Sequence, residues 1–392
     1  MRVAFTLIGG RNWTGGYNYL LNLLRVLSMH QADRIRPLLF LDTQLPAAER
    51  SPFDEIEGIE VIRSPALSQE RKTRALLSAL VRGFDAKVRE ELLRHRVDVV
   101  FEAAQFFGWR LGVPAVAWIP DFQHRALPQL FTRASLLKRE LGFRAQVITG
   151  RTILLSSDDA RAACELYYPS TVGRTSTVRF AVSPAAGYDG DTARRIADLY
   201  DLPERFFFLP NQFWQHKNHL LVLDALAILQ SRGERLVVAA SGKQFDPRSP
   251  GYFQQLKASR DARGLHEQFR LLGMVPHEHV FALMLSSMAL LNPSRFEGWS
   301  TTVEEARSLG TPLLLSAIAV HREQAGDDAT YFDPDDASAL AAVLRDFVPL
   351  GRSARDNARA AGSKAAEERV RRFSNEFVDA VERSVEGRLA PL

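Results

Sequence analysis

The sequence predicts an α/β protein built from two doubly wound, Rossmann-like domains that face a cleft between them. Three observations support this fold class. Short apolar runs alternate with amphipathic stretches, the alternation is interrupted once near the middle of the chain, and it then starts again. Repeated strand–helix units imply right-handed crossovers and parallel sheets with helices on both faces. The 392 residues suffice for two such domains with a large core.

The first half of the chain predicts strands where short apolar runs occur, because strands buried on both faces carry such runs. The predicted strands are residues 2–8, 36–41, 58–62, 97–101, 115–119 and 153–156. Amphipathic stretches predict helices at residues 15–29, 127–145 and 158–167. Residues 70–95 are interpreted as one long basic helix.

A stretch rich in proline and glycine, residues 180–203, predicts the connection between the domains. We place the first domain at residues 1–183, the linker at 184–203 and the second domain at 204–370, followed by a C-terminal helix at 371–392. The second series of predicted strands is 205–209, 236–240, 269–272, 289–292, 312–315 and 330–332. Its predicted helices are 219–230, 252–263, 277–286, 302–309 and 337–347, with a charged helical tail at 355–387.

Composition excludes several classes of protein. The chain is 46% hydrophobic and 24% charged, which is ordinary for a globular protein. Its single cysteine, Cys164, excludes an internal disulfide and a cysteine-rich zinc site. The N-terminus lacks a signal-peptide pattern and no apolar run is long enough to span a membrane, so we expect a soluble, cytoplasmic protein.

Charge is distributed unevenly along the chain. Residues 1–180 carry 25 Lys and Arg against 18 Asp and Glu, a net charge of +7, and the rest of the chain carries a net charge of −3. The basic half predicts an anionic partner, such as a membrane surface, a lipid phosphate or a nucleic acid. A solvated basic surface without a partner is the alternative.

The richest candidate site is residues 292–310, NPSRFEGWSTTVEEARSLG, where a strand leads through a loop into a helix. Thr301 and Glu304 fit a capping box, which would leave the amides at the helix start exposed to an anion. Glu297 lies in the loop and Glu305 lies inside the helix. A phosphate bound here would have hydroxyl-binding carboxylates on either side, and a sugar nucleotide has that layout. An ordinary capped surface helix is the alternative.

Three further segments place functional side chains after predicted strands. Lys217, in LPNQFWQHKNHL, can reach a phosphate as a point charge or can be a surface lysine. Asp121 and His124 follow the strand at 115–119, where a histidine near a carboxylate can carry a proton or the pair can cap the next helix. Gly15 and Gly16 end the turn GGRNWTGG, which lacks the dinucleotide fingerprint but permits close ligand approach.

Together these motifs resemble the retaining glycosyltransferases of the GT-B fold that form family 4, the glycosyl transferases group 1. The E-x7-E spacing from Glu297 to Glu305 carries the resemblance, which covers nearly the full length of the chain. Supporting motifs are HKNH at 216–219, IPDFQHRALPQLF at 119–131, LGMVPHEHV at 272–280 and HREQAGDDATYFDP at 321–334. The chain is most similar to bacterial enzymes that build O-antigen, capsule or exopolysaccharide chains.

The resemblance implies that a sugar moves, with retention and without a metal or other cofactor, from a nucleoside diphosphate to a saccharide or lipid-linked saccharide. The first domain would bind the acceptor, the second would bind the donor, and the C-terminal helix would cross back to the first. Glu297 would contact the sugar, Glu305 the ribose and Lys217 the diphosphate. The amides of Ser300, Thr301 and Thr302 would also hold the diphosphate, Gly298 and Trp299 belong to the same loop, and Met274 and Val275 would line the base pocket.

Two departures from the family pattern matter. Asn211 and Gln212 stand where many members have an arginine, so the diphosphate has one cation fewer and depends more on Lys217. Pro120 replaces a histidine that many members have directly before the aspartate, which leaves open whether Asp121 or His124 takes its role.

Other classes of function fit parts of the sequence. A nucleic-acid-binding protein would fit the basic half, but its aromatic residues are scattered and no binding motif occurs. A GT-B phosphorylase and a non-catalytic sugar-nucleotide-binding partner remain alternatives. No DxD metal motif occurs in the expected place, and the adjacent pairs Asp158, Asp159 and Asp327, Asp328 are more typical of helix starts and loops. We further expect the basic helices at 71–96 and 125–144 to lie near anionic lipid.

Overall fold

The structure, a computed structural model, describes residues 1–8, 14–103, 105–183 and 189–389. The chain divides into two compact units. The first comprises Met1–Phe122, Arg133–Phe180 and Val370–Leu392, and the second comprises Gln123–Thr132 and Ala181–Arg369. Most of the glycine-rich turn and the first part of the predicted linker lie outside the described residues.

The first unit contains a seven-stranded sheet in which every recorded pairing is parallel. Its strands are β1 (Arg2–Thr6), β2 (Arg36–Leu41), β3 (Glu60–Arg63), β4 (Val99–Ala103), β5 (Ala115–Ile119), β6 (Thr152–Leu155) and β7 (Thr175–Thr177). The order is β3-β2-β1-β4-β5-β6-β7, which is doubly wound from a switch point between β1 and β4. Six of these strands match the apolar runs of the sequence, and β7, which is polar, was not predicted.

The helices of the first half correct two predictions. They are α1 (Thr14–His30), α2 (Ala47–Asp54), α3 (Lys72–Val81), α4 (Ala86–Arg94), α5 (Gln123–Ala126), α6 (Arg133–Ile148) and α7 (Asp158–Tyr167). The single helix predicted at 70–95 is wrong: Gly83 adopts a φ of +88° and Asp85 caps α4 by accepting from two backbone amides. The helix predicted at 127–145 is replaced by a 3₁₀ turn at Pro128–Leu130 followed by α6.

The second unit contains a six-stranded sheet with the same architecture. Its strands are β8 (Phe207–Leu209), β9 (Val238–Ser241), β10 (Phe269–Gly273), β11 (Leu290–Asn292), β12 (Leu313–Ser316) and β13 (Ala329–Phe332). They pair in parallel in the order β10-β9-β8-β11-β12-β13. One apolar cluster packs on each face, because the side chains of a strand point alternately to opposite faces: Phe207 belongs to one cluster and Phe208 to the other.

The second half of the chain adds eight helices among the described residues. They are α8 (Gly190–Asp198), α9 (His219–Ser231), α10 (Tyr252–Ala262), α11 (His277–Ser286), α12 (Thr301–Ser308), α13 (Ala319–Ala325), α14 (Ala337–Asp346) and α15 (Arg352–Leu389). Helix α8 lies in the predicted linker but packs within the second unit, chiefly against α11. Helix α13 was not predicted.

The final part of α15 belongs to the first unit. There Phe377 packs against Phe5 and Phe101, with ring centroids 5.9 and 5.4 Å away. Arg34 adds charge pairing, since its guanidinium lies 2.8 Å from Asp379. In the described part of the chain, no helix combines the length and the apolar character that crossing a bilayer demands.

Candidate active site

The candidate site of the second unit lies at the switch point of its sheet, between β8 and β11. Strand order reverses there, and ligands of doubly wound sheets bind outside the carboxyl ends of the strands at that point. Asn211 follows β8 and Asn292 ends β11. Asn211 Nδ2 donates to Asn292 Oδ1 at 2.9 Å, and Asn292 Nδ2 donates to Ser300 Oγ at 3.0 Å. The two asparagines therefore join the loops that follow the central strands.

Lys217 and Glu297 form an ion pair at this edge of the sheet. Lys217 Nζ lies 2.6 Å from Glu297 Oε1, and Asn292 Nδ2 lies 3.5 Å from the same oxygen. The side chains are 13% and 8% exposed, so the pair is largely shielded from water. The structure thus brings together the two residues that the sequence assigned to the diphosphate and to the sugar, although 80 positions separate them.

Charge around Glu297 keeps its carboxyl group ionised. Burial raises the pKa of Glu297, but Lys217, His321 and hydrogen bonds from Lys217 and Ser294 lower it more, and the net pKa lies below the usual range for glutamate. A buried carboxylate is therefore stabilised by the same lysine that the sequence assigns to the donor phosphates.

His321 is a site residue that sequence reasoning did not single out. It lies in α13, is fully buried, and its Nδ1 is 3.0 Å from the carbonyl oxygen of Ser316. Burial lowers the pKa of His321 despite the attraction of Glu297, which favours the neutral ring. With the Nδ1 proton donated to Ser316, Nε2 becomes an acceptor, and it has no hydrogen-bond partner within the described residues. The signal in the sequence that could have identified His321 was its position shortly after the strand predicted at 312–315.

Glu305 lies inside α12 and is nearly buried. Its Oε1 is 3.1 Å from Nε2 of His277, the first residue of α11. This hydrogen bond raises the pKa of His277, against the opposing effect of burial. Among the described residues, the Glu305 carboxylate has one side-chain partner, and that partner is a half-exposed histidine.

The start of α12 differs from the predicted capping box. The N-cap residue is Ser300, whose side chain makes no capping hydrogen bond, and the Ser300 amide donates to Gln324 Oε1 at 3.3 Å. Glu304 does not reach back to the helix start, because it accepts from Arg307 and Arg369 at 2.8 and 3.0 Å. The Ser300 amide is thus satisfied internally, whereas the sequence predicted that it would be exposed to an anion.

The other residues predicted for the donor site differ in their exposure to solvent. Met274, after β10, is 70% exposed, whereas Val275 packs partly buried against the core. Residues at the loop and helix start are half-buried: Gln212, Gly298, Trp299, Thr301 and Thr302. In the first unit, Gly15 and Gly16 lie in the first turn of α1, which follows β1 at that sheet's switch point.

Asp121 and His124 belong to different compact units. Asp121 lies in the first unit, where its carboxylate is 3.4 Å from Nη1 of Arg139. His124 lies in α5, is 2% exposed, and belongs with Gln123–Thr132 to the second unit, which also holds Lys217 and Glu297. The assignment of the family's histidine role to either residue stays a prediction.

Comparisons with known proteins bear on the family and the fold. Residues 192–367 match the family model described as glycosyl transferases group 1. A stretch of 83 residues is 35% identical to O-antigen chain mannosyltransferase B of Escherichia coli, and it covers 21% of this chain and 22% of that protein.

Two solved structures share the architecture over the whole chain. HepE of Anabaena, in complex with UDP and glucose, has a TM-score of 0.70 at 14% identity, with 98% of this chain and 100% of that chain covered. WaaG, a glycosyltransferase involved in lipopolysaccharide biosynthesis, has a TM-score of 0.55 at 14% identity, with 98% and 99% covered. The chain therefore has the GT-B fold of glycosyltransferases, and its residues 192–367 are similar to the glycosyl transferases group 1 family.

Proposed function

We propose that this protein is a retaining glycosyltransferase that moves a sugar from a nucleoside-diphosphate sugar to a saccharide or lipid-linked saccharide during synthesis of a bacterial surface polysaccharide. The observation that carries the proposal is the shielded Lys217–Glu297 pair at the switch point of the second sheet. A cation for the diphosphate and an ionised carboxylate for the reacting sugar are the two charges that this reaction needs side by side.

The donor would reorganise this pair. A diphosphate attracts the Lys217 ammonium, which then shares or leaves Glu297 Oε1, and the carboxylate becomes available to sugar hydroxyls. Neutral His321 offers Nε2 as a second buried acceptor in the electrostatic neighbourhood of Glu297. Two acceptors next to one cation suit a ligand with hydroxyl groups beside a phosphate. Glu305 would accept from the ribose in place of His277.

The names of the relatives support the same chemistry. A mannosyltransferase of O-antigen chains shares a local stretch of sequence, and the HepE structure holds UDP and glucose. Lys217, Asn211 and the loop from Glu297 to Thr302 would hold the donor without a metal or other cofactor. Binding and transfer assays identify the sugar, the base and the acceptor.

The first test is a panel of nucleotide sugars measured by thermal shift, followed by transfer assays with the stabilising donors. A donor at about 100 times its dissociation constant should add about 2.7 kcal/mol to the free energy of unfolding. The product's anomeric configuration, read by NMR, should match that of the donor. Stabilisation by no nucleotide sugar, or turnover that needs inorganic phosphate and no nucleotide, would contradict the proposal.

The first unit would meet anionic lipid or lipid-linked phosphate through two exposed helices. In α3 the side chains of Leu76, Leu77, Leu80 and Val81 are 41–79% exposed, and the exposed Lys72, Arg74 and Arg82 flank them. In α6, Leu137, Leu141 and Ile148 are exposed on a helix that also carries basic residues. Apolar side chains beside cations are typical of helices that lie on an anionic bilayer surface.

Vesicle co-sedimentation tests this surface. The protein should bind vesicles with anionic lipid more strongly than neutral ones, and salt should weaken the binding. Leu77→Ser with Leu80→Ser should reduce it, whereas Leu166→Ser, at an exposed leucine of α7, is the matched control. Binding that does not depend on anionic lipid at low salt would contradict this surface. No binding to either kind of vesicle would favour a soluble saccharide acceptor.

A further inference from the structure

Arg248, in the loop between β9 and α10, contacts both ends of the segment Gln123–Thr132. Its Nη1 donates to Gln123 Oε1 at 2.6 Å, and its guanidinium lies 5.6 Å from the centroid of the Phe131 ring. All of these residues belong to the second compact unit. His124 lies directly after Gln123 and is buried, with its ring 6.5 Å from that of Phe131.

The same guanidinium also lies against the loop that carries Lys217. It is 5.0 Å from the centroid of the Trp214 ring, and Trp214 stands directly before the 3₁₀ turn Gln215–Lys217. The Trp214 ring is in turn 5.6 Å from the ring of His216. One side chain therefore touches both the His124 segment and the entry to the Lys217 turn.

Arg248 is held in place by a buried carboxylate. Asp246 is 3% exposed, and its two oxygens accept from Arg248 Nε and Nη2 at 3.0 and 3.2 Å. This two-point contact fixes the plane of the guanidinium and leaves Nη1 for Gln123, while the rings of Phe131 and Trp214 lie against the guanidinium. A lysine cannot reproduce the planar contact with Asp246, the amide and the rings together.

We infer that Arg248 is a positioning residue that fixes the His124 segment relative to the donor-site lysine, and that it acts on sugar transfer through His124. The inference rests on the proposed glycosyltransferase function, with His124 rather than Asp121 in the family's histidine role. Misplacement of a reacting group by about 1 Å can cost about 100-fold in rate, so a guanidinium that holds one segment at both ends is a sensitive point of control.

Arg248→Lys and Arg248→Gln test this role, with Arg263→Gln as the matched control. Arg263 also pairs with an aspartate of the second unit, Asp224. Its described contacts include neither the segment Gln123–Thr132 nor the turn Gln215–Lys217. Both Arg248 variants should lower the kcat of transfer by about 10- to 100-fold and change nucleoside-diphosphate affinity by less than about threefold. Methylguanidinium should partly restore an Arg248→Ala variant.

A double-mutant cycle separates positioning from general stability. In a His124→Ala background, Arg248→Gln should cost less than about threefold in kcat, because the group that it positions is already absent. An equal loss in both backgrounds, or a loss explained by a lower unfolding midpoint, would overturn the inference.

Amide hydrogen exchange gives a readout that does not depend on activity. Exchange of the Gln123–Thr132 amides should accelerate in Arg248→Gln and stay unchanged in Arg263→Gln. Unchanged exchange in both variants would refute the positioning role even in an active enzyme. A wild-type protein that transfers no sugar from any donor would refute the proposed function, while accelerated exchange would still show that Arg248 holds the segment.

Discussion

Replacing Glu297 by glutamine removes one charge at the centre of the candidate site and changes little else. The amide keeps the size of the side chain and one acceptor for Lys217, whose Nζ lies 2.6 Å from Oε1 in the native protein. The pKa of this carboxyl group lies below the usual range for glutamate, because Lys217, together with the hydrogen bonds to the carboxylate, outweighs the effect of burial. The substitution therefore deletes a full negative charge in a shielded place.

The expected effect on turnover follows from that shielding. A preorganised charge next to a developing oxocarbenium ion contributes about 3–4 kcal/mol to transition-state stabilisation. This corresponds to a loss of roughly 100- to 1000-fold in kcat. Nucleoside-diphosphate affinity should hold or tighten, because the phosphates no longer compete with a carboxylate for Lys217. Glu305→Gln is the matched variant, and its loss should fall mainly on nucleoside-diphosphate affinity, since Glu305 would bind the ribose.

Steady-state transfer kinetics and calorimetric titration with the nucleoside diphosphate measure the two effects. Circular dichroism and the unfolding midpoint check that each variant is folded. Near-normal kcat in folded Glu297→Gln would refute the assigned role. A parallel loss of nucleoside-diphosphate affinity in that variant would show that Glu297 holds the donor rather than the reacting sugar.

Three further outcomes are expected. Lys217→Met should raise the pKa of Glu297, because the effect of burial is then no longer opposed by the lysine charge. The acid limb of the pH profile of kcat should therefore move to higher pH, and a limb that does not move would contradict the pairing. Arg151→Met should lower the free energy of unfolding, measured in urea, by about 3–5 kcal/mol, because it leaves the fully buried Glu102 carboxylate without its ion-pair partner. Arg50→Met, which removes the more exposed pair with Asp54, is the control and should lower it by less than about 1 kcal/mol. Treatment with a chelator should leave turnover unchanged if Lys217 supplies the charge for the diphosphate, and a loss restored by magnesium or manganese would disprove this.

Most of both sheets could be predicted from sequence because parallel strands are buried on both faces. Such strands need apolar residues at consecutive positions, as in the run FFFL at 206–209, which contains β8. A run of this kind can be recognised in the sequence even when the neighbouring strands are unknown. Strand β7 escaped prediction because it reads TST, and an edge strand does not need an apolar run. The prediction of one helix at 70–95 failed because it gave no weight to Gly83, whose positive φ lies between the two helices α3 and α4.

The chemistry of the site was visible in residue types and spacing, but the contacts were not. Glu297 and Glu305 stand out because they flank a helix start within one segment. Their partners come from distant segments: Lys217 for Glu297, and His277 for Glu305. The capping box failed for a similar reason, since Gln324, from a helix that the sequence did not indicate, takes the Ser300 amide.

The sequence by itself determined the class of fold, the strand runs and the acidic and basic residues available to the site, because these depend on local periodicity and on residue chemistry. The tertiary structure decided which of those charges meet, that His321 is buried near Glu297, and that Gln123–Thr132 belongs with the second unit while the chain on either side of it belongs with the first. The reason is physical: burial, ion pairing and pKa depend on which segments the sheet order places side by side, and strand order is a property of the whole chain.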